Sequence, residues 1–239
     1  HANGFRVIMD VVYNHTYVTD SWLERTVPGY YYRQKSDGSL SNGSGCGNDV
    51  ASERSMCRKY ILESALYWVE EYHMDGFRFD LMGIHDIETM NQLSKNLHEN
   101  VSEYVTVYGE PWAGGTIALS NGTPATQVNM NKYEGYGCFN DQMRDALIKG
   151  GLSGKTEKGW ITNSSSIASG DVTSINNGLV GLILNGNKVI EPEKCINYVT
   201  CHDNYTLYDR IKAAGITDET TIKKMAMLAN SVVFTSQGT

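Results

Sequence analysis

Arg78 and Asp80 stand two residues apart in Asp75-Gly-Phe-Arg-Phe-Asp-Leu-Met-Gly83, where apolar and charged side chains alternate. A period of two is a strand pattern, and it puts both charges on one face. Strands of an α/β protein are usually apolar on both faces. An arginine and an aspartate on one face of such a strand either form a structural ion pair near its end or serve a site, because burying them otherwise costs free energy. Three other strand-like runs also end in polar chemistry. Phe5–Val12 carries Asp10 and is followed by Tyr13, Asn14 and His15; Val105–Tyr108 runs into Gly109-Glu110-Pro111-Trp112; Ile196–Thr200 runs into Cys201-His202-Asp203-Asn204. Individually, His15 is equally readable as a loop histidine and Asn204 as a turn residue.

The segments between these runs read as the elements that position them. Arg58–Tyr72 is a helix whose stripe is Ile61, Leu62, Ala65, Leu66, Val69 and Tyr72. Asp86 caps a second helix with Ile87, Met90, Leu93 and Leu97 on its inner face, and Asn140 caps another through Lys149. No convincing helix is expected from Ala113 to Glu134, and a weak strand is expected around Tyr136–Phe139. Leu207–Ala214 and Glu219–Asn230 read as helices, with a last strand at Ser231–Thr235. Two excursions interrupt the pattern, at about 16–54 and about 150–187, both rich in Gly and Ser. Long loops are usually functional or disordered, and the run Tyr30-Tyr31-Tyr32 favours order in the first of them. Strand and helix alternate, which predicts an α/β fold with a parallel sheet. No Gly-rich phosphate loop follows any strand, which disfavours nucleotide binding.

Composition narrows the classes further. Over 239 residues the formal charge is −7, which argues against nucleic acid and anionic membrane as partners. No apolar run is long enough to span a bilayer. The 5 cysteines are odd in number and lack metal-ligand spacing, so free thiols are expected and zinc is disfavoured. The chain opens on His1 and stops at Thr239 just after an apolar run, so both ends read as cut from a longer protein.

In a closed β/α barrel the C-terminal ends of all strands meet on one face, where active sites lie. Three carboxylates and an arginine on such a rim suit glycoside hydrolysis, which needs one carboxylate as nucleophile and one protonated carboxyl as acid. Asp80, held by Arg78, is expected to stay ionised. Glu110, beside Trp112, is expected to face an apolar wall that keeps it protonated. Asp203 is a third carboxylate, placed to bind sugar hydroxyls and to stabilise positive charge.

Asp10-Val-Val-Tyr-Asn14-His15, Gly76-Phe-Arg78-Phe-Asp80, Tyr108-Gly-Glu110-Pro-Trp112 and Val199-Thr-Cys-His202-Asp203-Asn204 resemble, in content, order and spacing, the four signature regions of the α-amylase superfamily of glycoside hydrolases. The resemblance implies a (β/α)8 TIM barrel, incomplete here and running from about its third to its eighth strand, with residues 1–239 as one partial catalytic barrel. It implies a retaining mechanism in which Asp80 is the nucleophile, Glu110 the acid/base and Asp203 the transition-state stabiliser. Arg78 would orient Asp80, and Tyr13, His15, Trp112, His202 and Asn204 would contact the sugar. The substrate it implies is an α-glucan. The chemistry requires no cofactor. Asn14 is a candidate ligand for a structural calcium ion, although no dense carboxylate cage is visible.

The finer resemblance is to type I pullulanases, the starch-debranching members. Pro28-Gly-Tyr-Tyr-Tyr-Arg33, the stretch Asn42-Gly-Ser-Gly-Cys-Gly-Asn-Asp-Val-Ala-Ser-Glu53, Phe77–Asp86 and Phe139–Asp145 all resemble their segments. Met82 and Gly83 stand where many α-amylases carry a Lys-His pair, which disfavours a plain α-1,4 endo-amylase. Pro111 departs from the Glu-Gly-Trp more usual in pullulanases. The expectation is cleavage of α-1,6 branch links; an α-1,4-acting amylase or glucanotransferase is the alternative within the superfamily, and a non-catalytic sugar-binding homologue the alternative outside it. An open part of a barrel exposes sheet edges and is expected to be unstable alone.

Overall fold

The computed structural model describes residues 1–149, 156–162, 165, 167–186 and 188–238. The chain divides into two compact units, His1–Cys138 and Phe139–Thr239.

The first unit is built on parallel strands: β1 (Ile8–Val11), β2 (Gly76–Phe79), β3 (Thr106–Gly109) and the start of β4 (Gly137–Phe139). They pair in that order, with Asp10 opposite Arg78 and Arg78 opposite Tyr108. Helix α1 (Trp22–Thr26) is a short turn inside the first long loop, where no helix was expected. Helix α2 (Ser55–Tyr72) leads into β2, and α3 (Ile87–Asn100) connects β2 to β3. Helix α3 buries the expected face; α2 begins three residues before Arg58, and Tyr72, expected in its apolar stripe, is exposed. Cys57, Ile61, Ala65 and Val69 are buried along α2 at four-residue spacing. The Asp86 carboxylate accepts from the Thr89 amide and from Ser52 Oγ, so α3 starts where a capping residue places it. Gly76 admits no side chain, because a Cβ there would stand 2.2 Å from the Thr106 carbonyl of the next strand. Between β3 and β4 only a short 3-10 turn forms, Gln127–Lys132, consistent with the absence of a helical pattern.

The loop from 16 to 54 is ordered by its own polar core. Asp49, fully buried, accepts from Ser41 Oγ and from the amides of Gly43 and Ser44, both at 2.7 Å. Arg33 pairs with Glu53 at 2.9 Å and donates to the Ile84 carbonyl, tying the loop to the segment after β2.

The second unit holds α4 (Asp141–Ile148), α5 (Ser169–Leu179), a hairpin of β5 (Ile183–Asn185) and β6 (Lys188–Ile190), the short strand β7 (Cys195–Ile196), α6 (Leu207–Ala213) and α7 (Glu219–Thr235). Its core gathers Met143, Leu147, Ile161, Val199, Ile211, Ile222, Met225 and Ala229. Asn140 caps α4 as expected, accepting from the Met143 amide at 3.1 Å.

Three expectations change in this unit. Ser231–Thr235 is the last turn of α7 rather than a strand. Val232 and Val233 continue the helical spacing of Ile222, Met225 and Ala229 onto the core, and a short apolar run carries no period of its own. Of the expected strand Ile196–Thr200 only Ile196 lies in a strand, at the end of β7. The excursion at 150–187 contains α5 and the first strand of a hairpin. Its Ser, Asn and Gly content lowers helix propensity, but α5 is held by Ile175 on the core and by Lys149 Nζ 2.8 Å from Asp171. Residues 150–155, 163–164, 166 and 187 of that excursion lie outside the described residues.

All five cysteines are free. Among the described residues no helix is long and apolar enough to cross a membrane, and no group of three His, Cys, Asp or Glu is arranged to hold a metal ion.

Candidate active site

Parallel register creates the centre of the site. Asp10 of β1 and Arg78 of β2 are direct partners across the sheet, and Asp80 and Glu110 follow at the C-terminal ends of β2 and β3. Arg78 is buried and serves three carboxylates. Its Nη1 lies 2.9 Å from Asp10 Oδ1 and 3.2 Å from Asp80 Oδ1, and its Nη2 lies 2.5 Å from Glu110 Oε1. Burial by itself would lower the guanidinium pKa. The charge of Glu110, with Asp10 and Asp80, outweighs it and holds Arg78 above its usual value.

The carboxylates differ in access. The Asp80 side chain is 24% exposed and that of Glu110 only 6%. Asp80 is held from the loop after β1 as well: Asn14 Nδ2 donates to its carbonyl at 2.8 Å and to Oδ2 at 2.9 Å. Both Asn14 contacts are to acceptors, so its amide nitrogen faces Asp80 and its Oδ1 faces His15 Nδ1 at 2.6 Å. That contact requires a proton on Nδ1 and leaves Nε2 of a neutral His15 as an acceptor for a hydroxyl. With Oδ1 and Nδ2 both engaged, Asn14 is built into the carboxylate cluster.

Glu110 differs from the sequence expectation. In place of an apolar wall it meets two donors, Arg78 on Oε1 and the Leu81 N–H on Oε2 at 2.8 Å. Both contacts favour the ionised carboxylate. Leu81 is left-handed, φ 38° and ψ 47°, a conformation that costs a leucine about 1–2 kcal/mol. It turns the chain out of β2 into the single 3-10 turn Met82–Ile84. Gly83 lies so close to Trp112 that a Cβ would stand 2.4 Å from its carbonyl oxygen, and its N–H donates to the Glu110 carbonyl at 2.9 Å.

Tyr13 directs its hydroxyl at α2. Its hydroxyl bonds Ser64 Oγ of α2 at 2.7 Å and its ring packs on Phe79 at 5.9 Å; burial raises its pKa. The first unit thus brings together Asp10, Asn14, His15, Arg78, Asp80 and Glu110, with Trp112 half-buried two residues beyond Glu110. His202, Asp203 and Asn204 belong to the second unit, in the turn between β7 and α6; His202 Nε2 is 3.4 Å from Asp203 Oδ1, and both side chains are exposed. The Leu81 amide is the part of the site that sequence reading missed. A leucine carries no mark of a left-handed conformation.

No family model matches the chain. Comparison with individual proteins is more informative. The chain is 38% identical over 245 residues to the pullulanase of Bacillus subtilis, covering 100% of this chain and 33% of that protein. It is 30% identical to the chloroplastic pullulanase 1 of Arabidopsis thaliana, over 100% of this chain and 30% of the plant protein. Among solved structures, the pullulanase of Paenibacillus barengoltzii in complex with maltohexaose and α-cyclodextrin superposes with a TM-score of 0.89 at 44% identity, over 100% of this chain and 37% of that one. The chain therefore spans about a third of the length of the relatives it matches. Along its whole length this chain is similar to pullulanases, and over that part of their length it shares their α/β backbone.

Proposed function

We propose that the protein carrying this chain hydrolyses α-1,6-glucosidic branch links in pullulan, amylopectin or limit dextrins, with retention of configuration through a covalent glycosyl-enzyme. The observation that carries the reading is the single buried guanidinium of Arg78 joined to Asp10, Asp80 and Glu110 at neighbouring ends of parallel strands. The 44%-identical Paenibacillus enzyme, whose structure holds maltohexaose and α-cyclodextrin, supports an α-glucan substrate.

In this reading Asp80, the more accessible of the Asp80–Glu110 pair, attacks the anomeric carbon while Glu110 gives its proton to the departing glycosidic oxygen. Glu110, now a carboxylate, takes a proton from water, which displaces Asp80 and releases the sugar. Asp203 stabilises the positive charge that develops on the ring. His15, through Nε2, and His202 bind hydroxyls of the sugar being cleaved; Trp112 and Asn204 contact its neighbours. Tyr13 contributes through its packing on Phe79, which backs Asp80. No cofactor takes part in these steps.

The test is a digest of pullulan by the full-length polypeptide, with products separated by size. Maltotriose as sole end product is expected, and Asp80→Asn abolishes its release while binding of pullulan persists. Panose or isopanose, with rapid cleavage of amylose, would overturn the reading in favour of an α-1,4 enzyme.

A further inference from the structure

Every polar atom of Glu110 is held. Its amide donates to the Phe79 carbonyl at 3.0 Å, its carbonyl accepts from Gly83, Oε1 accepts from Arg78, and Oε2 accepts from the Leu81 N–H. Leu81 is one of three described non-glycine residues with positive φ. The other two, His73 and Lys149, close helices α2 and α4, where the left-handed conformation satisfies helix carbonyls. Leu81 closes a strand, and what its conformation delivers is an N–H aimed at a carboxylate. Strained backbone of this kind persists only where its surroundings enforce it, and here the Gly83–Trp112 approach and the Ile84 N–H to Leu81 carbonyl bond at 2.9 Å do so.

We infer that the Leu81 backbone amide is a positioning group for the Glu110 carboxyl, and that the left-handed turn after Asp80 is retained to supply it. The inference rests on the acid/base reading of Glu110 given above. Arg78 alone does not fix Glu110, because it is shared with Asp10 and Asp80, and Asp80 loses its charge on becoming an ester. The Leu81 N–H is a neutral donor whose charge does not change through the cycle. It holds the plane of the carboxyl and favours the ionised form that takes a proton from water in the second step.

Two kinds of substitution in the full-length polypeptide test this. Leucic acid at position 81 replaces the N–H by an ester oxygen and keeps the side chain. Leu81→Val keeps the N–H but is β-branched and resists the left-handed region, whereas Leu81→Gly and Leu81→Asn tolerate it. The ester and Leu81→Val are expected to lower kcat/KM on pullulan by about 10- to 100-fold, with a much smaller loss on an aryl glycoside whose leaving group needs no proton. The alkaline limb of the ester's pH profile is expected to move to higher pH, because the protonated form gains. Leu81→Gly and Leu81→Asn, which keep both the N–H and the left-handed turn, are expected to lose clearly less than Leu81→Val. An unmoved limb in the ester, or equal losses in Leu81→Asn and Leu81→Val, overturns the inference; should Leu81→Val fail to fold, the ester decides alone. Glu110→Gln separates this from the underlying reading. Equal losses on good and poor leaving groups in that variant would sink the acid/base role itself, whereas the expected leaving-group dependence beside an unmoved ester limb sinks only the assignment of Leu81.

Discussion

Replacing Arg78 by Met removes one buried cation from among three carboxylates, and the three should not suffer equally. Asp10 and Asp80 have side chains 48% and 24% exposed, so water takes over much of what the guanidinium supplied, and each loses about 1 kcal/mol or less. Glu110, at 6%, keeps the Leu81 N–H on its carboxylate but stays buried and loses its guanidinium. Removing one partner of a buried pair costs about 3–5 kcal/mol, chiefly as the penalty of the stranded charge. Most of the loss in Arg78→Met should therefore be assigned to Glu110. Two consequences follow. In an Glu110→Gln background, where no charge is stranded, Arg78→Met should cost at least about 2 kcal/mol less. In Arg78→Met alone, Glu110 becomes easier to protonate in the folded than in the unfolded chain, so the deficit shrinks as pH falls. Urea unfolding of the four members of the cycle at pH 8 and pH 5 measures both. A penalty for Arg78→Met that is the same with Glu or Gln at position 110, within about 0.5 kcal/mol, would refute the account of a single cation neutralising a buried acid.

Other perturbations read different parts of the framework. His85 is fully buried, with neither ring nitrogen hydrogen-bonded and its ring edge-on to Phe79 at 5.7 Å. Burial pushes its pKa down from 6.5 to about 4, against the charge of Asp86. A folded-state pKa below the unfolded one means that stability is complete above pH 6.5 and is lost as pH falls toward 4, by up to about 3 kcal/mol. His85→Phe should abolish that part of the acid sensitivity, seen as a gap between the two unfolding curves that widens from pH 7 to pH 4. Gly83→Ala should cost about 3 kcal/mol, because its Cβ meets backbone of Trp112 at 2.4 Å and no side chain can give way. Thermal melting checks this, and a Tm within a degree of wild type would mean that the two segments separate easily.

Much of the candidate site was legible because its signals are local. Asp86 and Asn140 cap helices within three residues of themselves, and Arg78 and Asp80 share a face because strands repeat every two residues. What failed had no local signal, or a misleading one. Ser231–Thr235 is rich in β-branched residues yet completes α7, since helix α7 buries its stripe against the unit's core. The segment carrying α5 lacks helix formers, and packing overrides propensity there.

By itself, the sequence picked out the candidate side chains, put Asp10, Arg78, Asp80 and Glu110 on or just after strands, and showed which family they resemble. Only the tertiary structure decided how they are joined. Arg78 meets Asp10 across 68 residues and Glu110 across 32, because parallel pairing in one register brings those strand ends side by side. It also turned Tyr13 toward α2 and set Glu110 between a guanidinium and a backbone amide instead of an apolar wall. Those choices depend on register and on one left-handed residue, Leu81, and neither is encoded in the type of any single side chain.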